Sequence, residues 1–179
     1  MRAFRMCDGE VRRSERAVGE LEEVVGIVER CRVLRLGLVD DAGVFVVPVN
    51  FGAQWDFACD GLAGGPARGA GLALWFHCAG AGRKFAALSA LPQAAFEMDV
   101  AGGIAPGARA CECSCVYESV MGTGTVRRAR DLEERREGLT HLMRCCAPDA
   151  PRDFPDAALA RTEVFALEVA TLSAKRNEG

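Results

Sequence analysis

The sequence has little of what several large classes of protein require. No stretch approaches the about 20 uninterrupted apolar residues that cross a bilayer, and the most apolar window, residues 69–82, is short and interrupted by glycine. Basic residues are not in excess, because 22 Lys and Arg stand against 25 Asp and Glu, for a formal charge of −3. We therefore expect neither a membrane partner nor a nucleic-acid partner, since binding to a phosphate backbone requires a basic surface.

Length and cysteine usage indicate how the chain is organised. With 179 residues, 50% of them hydrophobic, the chain can bury one sizeable core, so we expect a single domain over residues 1–179. Residues 1–18 are polar and poorly patterned, which predicts a loosely ordered N-terminal segment. They contain neither an apolar run nor a small-residue cleavage site, so we expect a cytoplasmic protein whose nine cysteines are mostly free thiols.

Hydrophobic periodicity predicts a mixture of helices and strands. Leu21, Val24 and Val28 lie on one helical stripe that ends near Cys31. The predicted strands are residues 33–39, 44–51, 72–78, 93–100, 113–126 and 163–171, and further helices follow Ala81 and Asp131. The Gly-rich residues 60–71 predict an inserted surface loop. Short connections favour antiparallel pairing, so we expect a mainly β fold, a small antiparallel barrel with peripheral helices.

One segment concentrates features that bind anions. Residues 76–84 run from a predicted strand through Ala and Gly into a helix start that carries Arg83 and Lys84. Free N–H groups at a helix N-terminus favour an anion, and small residues let a ligand approach the backbone. Arg and Lys side chains are suited to phosphate. The alternative interpretation is two solvent-exposed basic residues in a first helical turn, which is the unfavourable end for cations.

Other motifs are absent or weak. The chain contains no G-x-x-x-x-G-K-[ST] and no G-x-G-x-x-G between a strand and a helix, which excludes P-loop and Rossmann proteins. A zinc site could be built from Cys111, Cys113 and Cys115 with His77 or His141, but C-x-C-x-C lacks the paired spacing of structural zinc modules. We interpret the three cysteines as buried thiols on one face of a strand and expect no metal site.

His77 is the candidate catalytic residue. It follows an apolar strand beside the predicted anion site, where it could contact a ligand or donate a proton. The alternative is a hydrogen-bonded strand residue without a chemical role. A separate charged run, residues 127–137, predicts the solvated face of the third helix.

Several short motifs occur in a fixed order between about residue 10 and residue 176. They are Arg35–Asp41, Val46–Gly52, Phe76–His77 with Gly82–Lys84, Phe96–Val100, Tyr117–Val120, Arg161–Thr162, and Leu167–Val169 with Ser173–Arg176. As a set they resemble the 5-nitroimidazole-resistance (Nim) family, although no single motif would suffice. That family belongs to the pyridoxamine 5′-phosphate oxidase-like FMN-binding split barrels.

The resemblance implies both a fold and an activity. The implied fold is a six-stranded antiparallel split barrel, and the implied assembly is a homodimer with FMN at two equivalent interface sites. The implied function is an FMN-dependent oxidoreductase that reduces a small electron-poor organic substrate such as a nitro compound, with the flavin supplying the electron chemistry. The alternatives are a flavin-binding or storage module without turnover, and a haem-binding split barrel with His77 as a ligand.

The resemblance also implies which residues surround the cofactor. Arg83 and Lys84 would hold the FMN phosphate, while His77 and Cys78 would lie beside the ribityl chain or the ring. Ser119 would reach the site, either within its own chain or from the partner chain. The flavin would be bordered by Arg35, Leu36 and Gly37 in one strand and by Val47, Pro48, Val49, Asn50 and Phe51 in another.

The chain departs from the family pattern close to this site. Cys78 stands where the family usually has Ser, residues 79–81 lack its polar side chains, and Glu118 stands where a basic residue is usual. The loop at residues 60–71 is also longer than the usual turn. These departures predict a different cofactor affinity and different substrate access.

Overall fold

Eight strands form one continuous sheet in the computed structural model, which describes residues 1–7, 12–57 and 70–179. The strands are β1 (Arg5–Met6), β2 (Leu34–Asp40), β3 (Gly43–Val49), β4 (Gly52–Asp56), β5 (Gly71–Cys78), β6 (Gln93–Ala105), β7 (Ser114–Arg128) and β8 (Glu163–Asn177). Their order is β3-β2-β6-β7-β8-β5-β4, and β1 adds to β8. Because β3 and β4 are the two edges and do not pair, the fold is a split barrel.

The long strands β6, β7 and β8 form the middle of the sheet and pair antiparallel. Their register shifts at Ala101/Gly103 and at Thr123/Gly124, where irregularities increase the twist. Gly122 in β7 allows β8 to approach closely, because a Cβ there would lie 2.0 Å from the carbonyl oxygen of Thr171. The glycines in β7 therefore shape the sheet at its centre.

The hydrophobic core lies on the inner face of the curled sheet. In β2, the side chains of Leu34, Leu36 and Leu38 are buried there, whereas Arg35 and Gly37 lie on the outer face. The other strands contribute Leu72, Leu74 and Phe76 from β5, Phe96 and Met98 from β6, and Phe165, Leu167 and Leu172 from β8. The alternation in β2 therefore distinguishes the inner face of the sheet, which packs on the core, from its outer face.

The described residues include four α-helices, which lie around the barrel. They are α1 (Leu21–Arg30), α2 (Arg83–Ala90), α3 (Leu132–Cys146) and α4 (Asp156–Leu159). α1 buries Val24, Ile27 and Val28. α3 covers part of the outer face, where a second cluster contains Ala73, Trp75, Ala129, Val164 and Ala166. A Cβ on Gly138 would lie 2.4 Å from the Trp75 ring, so glycine is what lets α3 approach this strand.

The N-terminal turn of α3 is held by charged side chains. Asp131 caps the helix by accepting a hydrogen bond from the Glu134 amide, 2.9 Å away. The Glu134 carboxylate is 7% exposed and pairs with Arg127 and Arg130. The prediction that residues 127–137 form a solvated helix face is wrong, because Arg127 belongs to β7 and Glu134 is buried against it.

Most predicted elements are confirmed, and the differences occur where strands are short or interrupted. The antiparallel split barrel with peripheral helices is confirmed, but the count of six strands is wrong, since β1 and β4 raise it to eight. The predicted strand 44–51 ends at Val49, and β4 begins at Gly52. β8 continues to Asn177 instead of ending at residue 171, and β6 continues past residue 100 to Ala105. The predicted loop 60–71 lies outside the described residues except for its last two.

The N-terminal residues are attached to the sheet at several points. Phe4 is 8% exposed, and Arg5–Met6 pair with Thr171 and Leu172 of β8. Further along, Ala17 bridges to Lys175 and Val18 is buried. Within the described residues, no helix is long and apolar enough to cross a membrane.

Candidate functional site

The segment from the end of β5 to the start of α2 brings four predicted residues together. His77 and Cys78 end β5, and Arg83 and Lys84 begin α2 after a Gly-containing connection. Gly82 has φ +95°, a left-handed backbone that favours glycine, and no side chain caps the first turn of α2. Phe85 anchors the helix against Phe165, with ring centroids 6.3 Å apart. The first turn of α2 therefore has a fixed position and uncapped N–H groups.

Arg83 is engaged by a carboxylate of the same chain. Its Nε lies 2.6 Å from Oδ2 of Asp40 and its second terminal nitrogen 2.9 Å from Oδ1, which is a two-pronged ion pair. The guanidinium also lies over the Phe45 ring at 3.9 Å. Hydrogen bonding to Arg83 lowers the pKa of Asp40. The predicted phosphate-binding role of Arg83 would require it to leave Asp40 or to share its donors.

Lys84 is placed differently. It is half-buried, and it makes no ion pair with any residue that the structure describes. Burial lowers the pKa of His77, and the nearby Lys84 ammonium lowers it further. Burial raises the pKa of Cys78, although Lys84 acts in the opposite direction. Of the two cations in this segment, Lys84 is therefore the one with capacity for an anionic ligand, beside a neutral imidazole and a neutral thiol.

The split between the two edge strands places further predicted residues near His77. Gly52 of β4 pairs with Trp75 of β5. Continuing that antiparallel register by two residues places Asn50 opposite His77. Pro48 pairs with Arg35 of β2 and is exposed, as is Asn50. The outer face along the split therefore carries Arg35, Pro48, Asn50 and His77.

The remaining predicted residues are less accessible. The side chains of Leu36 and Phe51 are fully buried in the core, and Val49 is 8% exposed, so only their main chains could face a cofactor. Ser119 is buried and pairs with Asp99 and Lys175. His77 pairs with Val164, eleven residues from Lys175 along β8, so one chain holds Ser119 and His77 roughly 35 Å apart along the strand.

A groove lies on the bare part of the outer face, formed by β2, β3, β6, β7 and β8. Its volume is about 580 Å³, which lies in the range of sites for small organic ligands. The residues that line it include Gly37, Val46, Ala95, Met121 and Thr123. Sequence reasoning identified only Arg35 and Gly37 of this groove. The small residues Gly37, Ala95 and Gly122 inside strands were the available signal, since such residues mark close approach by a ligand or another backbone.

Charge in the groove is concentrated around Arg35. One terminal nitrogen of Arg35 lies 3.0 Å from Glu97 and 2.5 Å from Asp99. Hydrogen bonding to Asp99 holds the pKa of Arg35 above its usual value. Two carboxylates oppose one guanidinium, so this end of the groove carries an excess negative charge and disfavours a phosphate.

The cysteines of the C-x-C-x-C motif are not buried. Cys111 lies in a short 3₁₀ helix (Ala110–Glu112), and Cys113 and Cys115 are also exposed. The prediction of buried thiols on one strand face is wrong, because the strand begins only at Ser114. Across the described ranges, no three side chains of His, Cys, Asp or Glu are grouped as metal ligands.

Comparisons with known proteins agree with the fold. The structure resembles a proposed 5-nitroimidazole antibiotic resistance protein from Bacteroides thetaiotaomicron, with 22% identity, a TM-score of 0.70, and coverage of 89% of this chain and 85% of that chain. It also resembles a flavocytochrome from Azotobacter vinelandii, with 21% identity, a TM-score of 0.72, and coverage of 94% of this chain and 73% of that one.

A third structure, an FAD and haem binding protein from Mycobacterium smegmatis, has 21% identity and a TM-score of 0.73, with coverage of 92% and 74% of the two chains. No curated protein sequence gives a match. The family profile for pyridoxamine 5′-phosphate oxidase matches residues 20–176. Since that match covers most of the sequence, the chain belongs to the pyridoxamine 5′-phosphate oxidase family.

Proposed function

We propose that this protein binds FMN as a homodimer and acts as a cytoplasmic oxidoreductase on a small electron-poor organic compound, such as a nitroimidazole. The observation that carries the proposal is the position of Lys84. It is a half-buried cation without an ion pair among the described residues, at an uncapped helix start beside His77. Such a site is suited to a phosphate group.

The phosphate of FMN would bind at this end of the site and not in the groove. Lys84 and the first N–H groups of α2 would hold it, because Arg83 is already paired with Asp40. The groove cannot serve this purpose, since Arg35 is opposed by Glu97 and Asp99. This arrangement orients the cofactor with its anionic end at α2.

The flavin ring fits the outer face along the split. Pro48, Asn50 and the main chain around Gly37 offer a surface that few side chains obstruct. The adjoining groove of about 580 Å³ could accommodate the ring together with a small substrate. When bound, the flavin would supply the electron transfer, and the protein would supply binding and orientation.

His77 is the candidate proton donor of the proposed reaction. Partial shielding of the ring from water and the nearby Lys84 both lower the pKa of His77, so the imidazole is neutral at pH 7 and carries one N–H. A neutral imidazole can donate a hydrogen bond to a substrate oxygen and can relay a proton from solvent. Its exposure on the outer face keeps it in reach of a bound substrate.

The homodimer is proposed because one chain leaves the site open on one side. The groove lies on a sheet face that no described helix covers, and Met121 there is 40% exposed. Ser119 is distant from His77 in one chain, so a role for Ser119 at the flavin requires that it come from the partner. A second barrel at the rim of this face would close the site and leave the groove open for a ligand between the two chains.

A second candidate function is haem binding. Two structurally similar proteins, the flavocytochrome and the FAD and haem binding protein, bind haem according to their names. His77 is the residue of this chain that would serve as an iron ligand, because it is exposed on the outer face and its lowered pKa favours the neutral form that metals require. The third candidate function is flavin binding without turnover.

The visible absorption spectrum of the purified, gel-filtered protein tests these proposals. We expect twin flavin bands and release of FMN on denaturation. A Soret band would favour haem instead, and a colourless protein that also fails to bind added FMN would contradict the flavin proposal. Gel filtration with light scattering measures the proposed dimer in the same preparation.

Turnover separates the oxidoreductase from a storage module. The protein-bound flavin would be photoreduced without oxygen and mixed with a 5-nitroimidazole, with free FMN at the same concentration as the control. Reoxidation faster than that of free FMN supports catalysis. A rate equal to or below that of free FMN would indicate that the protein binds flavin without catalysing the reduction.

A further inference from the structure

A separate cleft lies between α1, β4 and the C-terminal part of α3. Its volume is about 410 Å³. The β4 side chains that line it, Ala53 and Trp55, alternate with Gly52 and Gln54, so they leave the strand on the face opposite to Gly52. Phe51 lines the cleft on the same face as Ala53, whereas Asn50 of the proposed flavin site lies on the opposite face of the chain.

Two arginines form the rim of the cleft. Arg32 follows α1 and donates one hydrogen bond, 3.1 Å long, to the carbonyl oxygen of Cys145 at the end of α3. Toward the residues that the structure describes, most of its five N–H donors are therefore unused. Arg144 is exposed and makes no ion pair or hydrogen bond with any residue in the described part of the chain. Glu29 is the one carboxylate that lines the cleft, so the rim carries a net positive charge.

The floor of the cleft is apolar. Val28 of α1 is fully buried, and Trp55 lies between two other aromatic rings, stacked on Phe57 at 6.0 Å and edge-on to Phe4 at 6.2 Å. Ala53 adds a small side chain between them. This floor would contact a hydrocarbon or aromatic group, and it offers little that would hold an inorganic ion.

His141 completes the wall without adding charge. Burial lowers the pKa of its imidazole, and the nearby Arg144 lowers it further. A neutral imidazole leaves the two guanidinium groups as the cations that define the rim. The wall next to it is formed by the half-buried thiol of Cys145.

We propose that this cleft binds a small organic anion, a carboxylate or sulfonate with an apolar body. The anionic group would bind to Arg144 and Arg32, and the body would rest on Trp55 and Val28. The volume of about 410 Å³ lies in the range of small-molecule sites. This inference does not depend on the proposed flavin chemistry, because it uses neither the groove nor the β5–α2 segment.

Two fluorescent probes of similar size test the charge requirement. The anionic probe is 8-anilinonaphthalene-1-sulfonate, and the neutral probe is N-phenyl-1-naphthylamine. We expect Arg144→Gln to weaken binding of the sulfonate about fivefold to tenfold, since one charge-assisted contact at a partly exposed site is lost. Binding of the neutral probe should not change. Arg161→Gln, at an exposed arginine remote from the cleft, is the matched control and should affect neither probe.

Alkylation of Cys145 locates the bound probe. Iodoacetamide would be added with and without the sulfonate, and peptide mass spectrometry would compare Cys145 with the exposed Cys111. Protection of Cys145 alone, lost in Arg144→Gln, supports the proposal. Equal sensitivity of both probes to Arg144→Gln, or sulfonate binding that leaves Cys145 unprotected, would overturn it and place the probe elsewhere, for example in the groove. No binding of the sulfonate would overturn it as well.

Discussion

The outer face of the sheet has two halves that differ in what covers them. Under α3, Ala73, Trp75 and Ala166 are at most 1% exposed, and Gly138 lets the helix backbone approach the indole ring. On the β2–β6–β7 half, no described element covers Gly37, Ala95 and Met121, and a groove remains. One sheet thus uses the same face for packing at one end and for an open surface at the other.

This difference separates residues needed for stability from residues available for function. Side chains under α3 are committed to the fold, so their replacement should unfold the protein without informing on a ligand. Side chains of the open half contact few neighbours, so their replacement should leave stability unchanged and alter binding.

Trp75→Ala is expected to have the largest effect. Trp75 is 1% exposed, and its indole N–H donates to Gln54 at 2.7 Å. Truncation should cost about 4 kcal/mol in the free energy of unfolding, because it leaves a large cavity beneath α3. Urea unfolding measures it. The open-half control Met121→Ala, at a side chain that is 40% exposed, should change stability by less than about 0.5 kcal/mol. Equal losses in the two variants would contradict the division.

Glu134→Gln tests the attachment of α3 through charge. Burial opposes ionisation of Glu134, but hydrogen bonds from Arg130 and Arg127 outweigh it and lower its pKa to about 2. A depressed carboxyl pKa stabilises the folded state above the unfolded pKa and ceases to do so as pH falls through the folded value. The variant should therefore lose about 3 kcal/mol at pH 7 and progressively less between pH 4.5 and pH 2.

The matched control for this carboxylate is the neighbouring Glu133→Gln. The Glu133 side chain is 87% exposed and its ion pair with Arg136 is 3.6 Å long, so its replacement should change the free energy of unfolding by less than about 0.5 kcal/mol at every pH. Denaturant midpoints measured from pH 2 to pH 7 for the wild-type protein and both variants make the comparison. A pH-independent difference between wild-type protein and Glu134→Gln would show that ionisation is not what holds this turn.

Lys84→Ala should affect binding, not folding. If its ammonium binds the FMN phosphate, the loss should weaken FMN binding by about 1.5 to 3 kcal/mol, as expected for a hydrogen bond between charged groups. Flavin fluorescence quenching gives the affinity. Arg83→Ala is the informative partner, because Arg83 is paired with Asp40 and should contribute less than Lys84. Unchanged FMN affinity in Lys84→Ala would remove that residue from the site.

The sequence predicts the strands and helices with strong periodicity, and it fails where the signal is short or non-local. β2 follows from alternation, β5 from a continuous apolar run, and α3 from an N-cap at Asp131. β4 has only five residues and follows β3 after a break of two, so its pattern merges with the preceding strand. Burial of Glu134 depends on Arg127 from another element, and local charge patterning cannot reveal it.

The candidate site divides in the same way. Residues 77–84 are contiguous, so their proximity follows from the chain. The Asp40 that engages Arg83 lies 43 residues away, and the two acids that neutralise Arg35 come from β6. The sequence shows which side chains are cationic, but it does not show which of them are already paired with a carboxylate. That pairing decides which cation is available to a ligand.

Ala95→Leu should have the smallest effect on stability and is the sharpest test of the open half. Ala95 is exposed on the groove side of β6, opposite Gly37 of β2 and Thr123 of β7. A leucine there should change the free energy of unfolding by less than about 0.5 kcal/mol, because the side chain can occupy the groove. The same occupation removes space from a bound ring or substrate, so the KM for a nitro substrate should rise while Lys84-dependent phosphate binding persists.

Ala95→Ser, which keeps the volume nearly constant, is the control and should behave like the wild-type protein. If Ala95→Leu instead unfolds the protein, the open half is packed against another chain in solution. The groove is then an interface between chains and not a binding site.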